Sequence, residues 1–150
     1  MIDKTLIIKW LREESTEGSE LEEIKHENAD WIIVAQIEKF PTLFIMPKDK
    51  SYLQIQRGII LADSQIKLLK KMRSKRRSQF YYTLKKSILM TKVRYTLIFP
   101  PDAPSILHEI KLLSRVYEDS LNQDNFIQVL FDVHNTTVLM VNEINYHIGD

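Results

Sequence analysis

The chain has 150 residues, 44% of them hydrophobic and 27% charged, with 3 Gly, 5 Pro and no Cys. This is the length and composition of a single globular domain with its own core, and it excludes the disordered and low-complexity classes. The absence of cysteine removes disulfides, thiolate catalysis and cysteine-based zinc sites, and the net charge of +1 argues against a wholesale polyanion binder.

That small net charge hides a segregation. Residues 1–30 carry 4 basic and 9 acidic groups, residues 48–94 carry 14 and 2, and residues 95–150 carry 2 and 8. A basic middle between acidic ends suits an anionic partner, or acidic ends that fold over the middle. No run approaches the ~18 apolar residues of a membrane span. Asp3, Lys9, Arg12, Glu13 and Glu14 interrupt any signal-peptide core. A cytoplasmic protein without membrane contact is expected.

The first predicted element is a helix from Asp3 to about Thr16. Asp3 is the N-cap candidate, Ile2 and Ile7 have the spacing of a hydrophobic staple, and Leu6, Ile7, Trp10 and Leu11 form the stripe. Gly18 closes it, and the acidic stretch Glu20 to Glu27 reads as a connection. Three strands follow as an antiparallel meander: "DWIIVAQIEKF", broken at Phe40-Pro41-Thr42; "LFIMPK", ended by Pro47; and "YLQIQRGII". In the last, Leu53, Ile55 and Ile59 alternate with Tyr52, Gln54 and Gln56.

A second helix is predicted from Asp63 or Ser64 to about Met90. It contains "KKMRSKRRSQFYYTLKK", in which eight of seventeen residues are Lys or Arg. Ile66, Leu69, Phe80 and Leu84 share one helical face, but Arg73, Arg76 and Arg77 fall on it too. Those guanidinium groups are expected near acidic residues of the same chain or of a second copy. With Lys70 they are the candidate contact for a partner or an anion, nucleic acid included.

"KVRYTLIFP" is a fourth strand, ended by Pro100, Pro101 and Pro104. "ILHEIKLLSRVYE" carries both helical and strand spacings; a strand from about His108 to Glu118, hairpinned onto the fourth, is favoured. The last helix has Asn122 as N-cap and a stripe of Phe126, Val129, Leu130, Val133, Thr137, Met140, Val141, Ile144 and Ile148, with Gly149 at its end.

Chemistry-bearing motifs are lacking. His26, His108, His134 and His147 include no i, i+4 pair, the three glycines make no phosphate loop, and no serine sits in a nucleophile elbow. No cofactor or metal is expected, and no enzymatic activity. Nor do the basic and aromatic residues interleave as in single-strand binders, because Phe80, Tyr81 and Tyr82 are consecutive on a helix.

The element order resembles the secretion-chaperone-like α+β fold of type III secretion chaperones and YbjN-like proteins. "VYEDSLNQDNFIQVLFDVHNTTVLMVNEI" is similar to the strand-to-last-helix junction of YbjN-like and related uncharacterised archaeal families. "IIKWLREES", and "PTLFIMPK" leading into "YLQIQRGI", fit the same group. The resemblance covers the whole chain and implies a small, often dimeric binding module; it supplies no catalytic residues, and the dense basic helix departs from it.

The sequence therefore predicts one α+β domain over residues 1–150, with a single antiparallel sheet of about five strands in the order α-βββ-α-ββ-α. Its strands are apolar on both faces, and helices cover only one. Ile32, Val34, Phe44, Met46, Leu113 and Tyr117 are the candidate interface. The expected function is a non-enzymatic protein-binding or chaperone-like adaptor module, homodimeric or holding a protein or peptide partner. The alternative is nucleic-acid or other polyanion binding through residues 67–86.

Overall fold

In a computed structural model, described here for residues 2–14 and 20–149, the protein is α+β with one antiparallel sheet. The helices are α1 (Lys4–Glu14), α2 (Asp63–Lys71), α3 (Ser74–Leu89) and α4 (Gln123–Ile148). The strands are β1 (Leu21–Ile24), β2 (Ala29–Ile37), β3 (Phe40–Pro47), β4 (Tyr52–Ile60), β5 (Arg94–Ile98) and β6 (Glu109–Tyr117), in the spatial order β1-β2-β3-β4-β6-β5. The expected end of the first helix at Thr16 and Gly18 lies outside the described residues. Two compact units are distinguishable: residues 1–57 with 113–131, and residues 58–112 with 132–150.

In the first unit, Asp3 caps α1 by accepting the Thr5 N–H at 2.9 Å. Ile7, Trp10 and Leu11 are buried, whereas Leu6 is exposed. Trp10 stacks on Phe126 of α4 with 5.5 Å between ring centres, and Phe126 on Phe44 of β3 at 5.7 Å. The Lys4 ammonium meets the Glu23 carboxylate of β1 at 2.9 Å. One face of this part of the sheet is thus the face that carries helices.

Two boundaries differ from expectation. The acidic stretch contributes β1, pairing Leu21 with Ala35 through Ile24 with Ile32. It is four residues long with two central glutamates, too short and too charged for period-2 patterning to register, and such charge suits an edge strand. The β2–β3 turn is not Phe40-Pro41-Thr42 but Glu38-Lys39, both in the left-handed region at φ 48° and 73°. Ile37 pairs directly with Phe40, a two-residue hairpin achieved without the glycine or asparagine that normally announces one.

In the second unit the expected single long helix is two helices. Met72 and Arg73 are extended, with ψ of 142° and 144°, and separate α2 from α3. A continuous helix would have carried Arg73, Arg76 and Arg77 on the same stripe as Leu69, Phe80 and Leu84. The break keeps those three apolar residues buried while leaving Arg73 and Arg76 in solvent. Gln65 fixes the start of α2: its Oε1 accepts the Ala62 N–H at 2.8 Å, and its Nε2 donates to Asn145 Oδ1 and the Gly149 carbonyl, each at 3.3 Å. The ambiguous segment is the strand β6, joined to β5 by a hairpin in which His108 N–H donates to the Ile98 carbonyl at 3.0 Å.

Asn122 caps α4, accepting the Asn125 N–H at 2.9 Å, and Gly149 ends it at φ 69°. No helix among the described residues is long and apolar enough to cross a membrane.

Candidate functional site

Cross-strand pairing decides which side chains share a face, because paired residues point the same way. Ile33 pairs with Phe44, and Phe44 with Ile55; all three are buried on the helix-bearing face. Thr42 and Arg57 pair on that face as well. On the opposite face of the first unit, Ile24, Ile32, Ile45 and Gln54 form one row, and Glu22, Val34, Leu43 and Gln56 the next.

This register corrects the expected interface. Phe44 and Met46 belong to the core, 0% and 2% exposed, with Phe44 against the Phe126 ring. Their places beside Ile32 and Val34 are taken by Leu43 and Ile45. Residue alternation along each strand was legible; which parity of β3 matches which parity of β2 depended on the turn, and the turn is Glu38-Lys39. Ile32 is itself 6% exposed, Val34 and Leu113 are half-buried, and Tyr117 is exposed.

One margin of that opposite face carries a cluster of which patterning found only Tyr117. Tyr52 and Tyr117 meet edge to face with 5.5 Å between ring centres, and the Arg115 guanidinium lies 4.4 Å from the centre of the Tyr52 ring. The Arg115 Nε is buried and has no hydrogen-bond partner. A guanidinium held against an aromatic face has lost part of its water, so a carboxylate acceptor there is worth more than in bulk solvent. Opposite, at the other margin, stands Glu22 of β1.

The basic candidates lie in the second unit and are not brought to one point. Lys70 is exposed in the last turn of α2, and Arg73 is the N-cap residue of α3. Arg77 turns back: its guanidinium donates to the Leu69 and Met72 carbonyls at 3.3 and 2.8 Å, closing the C-terminus of α2. It therefore has a backbone partner in place of the acidic one expected. Among the described residues, neither Arg73 nor Arg76 has a carboxylate within ion-pair distance.

Arg76 lines a cleft of about 420 Å3 with Met72, Gln79, Tyr82, Thr83 and His147, floored by Phe80. Of the three consecutive aromatics, expected to splay apart, only Tyr82 does so: the Phe80 and Tyr81 rings lie 5.7 Å apart, centre to centre. Phe80 is buried against the His147 ring, 5.4 Å centre to centre. Tyr81 turns to the β5–β6 connection, donating to the Ser105 carbonyl at 2.8 Å and accepting the Leu107 N–H at 3.0 Å. Tyr82 points outward and is 66% exposed.

The fold has a close counterpart among solved structures. An uncharacterised protein from Methanothermobacter thermautotrophicus superposes with a TM-score of 0.87 at 20% sequence identity, covering 99% of this chain and 100% of the other. No curated protein matches the sequence. Residues 3–144 match the model of the uncharacterised conserved proteins designated DUF2299, and the chain belongs to that family.

Proposed function

We propose that the protein is a non-catalytic binding module of the cytoplasm that self-associates through the sheet face of its first unit opposite Phe44 and Ile55. The observation that carries this reading is an apolar stripe of exposed Ile24 and half-buried Val34, Leu43 and Ile45 across three strands, flanked by Glu22 at one margin and Arg115 at the other. Such a face is complementary to itself. A two-fold axis running along β3, in the plane between two stacked sheets, lays the Glu22 margin of one copy over the Arg115 margin of the next. Leu43 and Ile45 then meet their own counterparts at the axis. Burying the stripe is favoured at roughly 25 cal/mol per Å2 removed from water, and the margin charges fix the orientation. The resemblance of the element order to small, often dimeric secretion-chaperone-like modules supports the same reading.

Size-exclusion chromatography with light scattering at tens of micromolar tests it. The expected species is a dimer. Leu43→Glu, which sets two carboxylates facing each other at the axis, is expected to yield a monomer with an unchanged circular dichroism spectrum. A strictly monomeric wild-type protein overturns the proposal.

A further inference from the structure

The second unit carries 12 Lys and Arg against 6 Asp and Glu. Its excess is concentrated on α2 and α3, where the exposed basic side chains between Lys67 and Lys86 form no ion pair among the described residues. Like-charged neighbours repel, so the arrangement costs stability unless an anion joins it.

The aromatic groups add chemical detail. Lys75, Gln79, Tyr82 and Lys86 follow one another at i, i+4, i+7 and i+11, the spacing of a single ridge on α3. The exposed Tyr82 ring thus stands between two ammonium groups on a ridge of about 16 Å. Arg76 and Thr83 flank it on the cleft side, and the Phe80 and His147 rings lie at the cleft's floor and wall. A bare acidic peptide uses the cations and leaves the ring idle. A nucleic-acid duplex offers phosphates but keeps its base faces stacked. A single strand offers phosphates to the ridge cations and a free base face to the tyrosine at once.

We propose that the α3 ridge and its cleft form a single-stranded nucleic-acid site. The Tyr82 ring stacks on a base, Arg76 and Gln79 contact its edge or the adjoining phosphate, and Lys75 and Lys86 hold phosphates on either side.

Fluorescence anisotropy of a fluorescein-labelled twelve-nucleotide thymidylate strand tests this at 50 and 200 mM salt. Saturable binding is expected, weakening roughly fifteenfold over that salt range if about three phosphates are neutralised. Tyr82→Ala is expected to weaken binding about tenfold without changing the salt slope, and Tyr82→Phe to preserve it. The double variant Lys75→Gln, Lys86→Gln is expected to flatten the slope. Absence of saturable binding at 50 mM salt overturns the proposal. So does a Tyr82→Ala protein that binds as tightly as wild type, or a duplex or polyglutamate bound as well as the single strand. Tyr82 is exposed, so its substitution tests the site without threatening the fold.

Discussion

The Arg57 guanidinium donates from both Nε and a terminal nitrogen to one acceptor, the Thr42 hydroxyl, at 3.1 and 2.7 Å, and the two residues are direct cross-strand partners. Arg57 is 0% exposed, set in line with Leu53, Ile55 and Ile59 where another aliphatic residue would be expected. Burial pulls its pKa down to about 10, and Glu38 in the hairpin turn counteracts part of that fall. The Phe40 ring, 5.2 Å from the guanidinium carbon, covers it further. Removing the side chain leaves a large void and strands its partners. Arg57→Ala is therefore expected to destabilise the fold by about 3 kcal/mol in urea titration. Arg57→Lys is expected to recover little, since an ammonium cannot reproduce the planar fork.

Arg76 and Arg77 are adjacent in sequence and opposite in consequence. Arg77 closes two carbonyls at the end of α2, and charge-assisted bonds of this kind contribute about 1.5 to 3 kcal/mol. Arg76 lies exposed at the cleft. Arg77→Ala is expected to lower stability by about 1.5 kcal/mol, and Arg76→Ala to stay within about 0.5 kcal/mol of wild type. Equal effects in thermal or urea unfolding would show that the break between α2 and α3 is not held in this way.

These two arginines also show where sequence patterning stops. The stripe of α1 apart from Leu6, that of α4, their caps at Asp3 and Asn122, and the strand nature of β6 follow from local periodicity, and the structure has them. The helix break at Met72-Arg73 has no proline or glycine to mark it. It arises because guanidinium groups leave a stripe that Leu69 and Phe80 occupy, a tertiary effect. The same holds for the sheet. Alternation within β3 is plain, yet Phe44 rather than Leu43 faces the helices because a two-residue turn of Glu and Lys sets the register. Arg115 escaped notice as a site residue because its significance depends on Tyr52, which is distant in sequence.

Tyr81 gives the fold a titratable contact. Burial raises its pKa above the ordinary value of 10.0, more than the Leu107 N–H and the Arg77 charge lower it. A phenol whose folded pKa is raised holds its proton more tightly in the native state. Its stabilisation is thus fully present below pH 10 and fades as pH rises through the raised value. Tyr81→Phe is expected to cost about 1 to 2 kcal/mol at neutral pH, because Leu107 N–H and the Ser105 carbonyl lose their partner. The gap between wild type and Tyr81→Phe is expected to stay constant from pH 7 to 9 and to narrow above pH 10. Urea unfolding at a series of pH values measures it; a gap that widens in alkali would contradict the assignment.

The orientation of the proposed dimer is testable through its margins. Arg115 has a buried Nε without an acceptor, and its guanidinium is held in place by Tyr52. Glu22 projects from β1 at the opposite edge of the same face, in register with Val34. If the two-fold axis follows β3, each dimer places the Glu22 margin of one copy over the Arg115 margin of the other, twice. Arg115→Glu then opposes carboxylates at both ends, and Glu22→Arg opposes guanidinium groups. Each single variant is expected to weaken dimerisation at least tenfold in sedimentation equilibrium at low salt. The double variant Glu22→Arg, Arg115→Glu restores opposite charges at both margins and is expected to recover most of the loss. Such recovery cannot come from independent damage to two separate monomer surfaces, whose effects would add. If the double variant is as monomeric as the worse single one, the Glu22 and Arg115 margins do not meet, and an axis perpendicular to the strands, which opposes β1 to β1, becomes the arrangement to test.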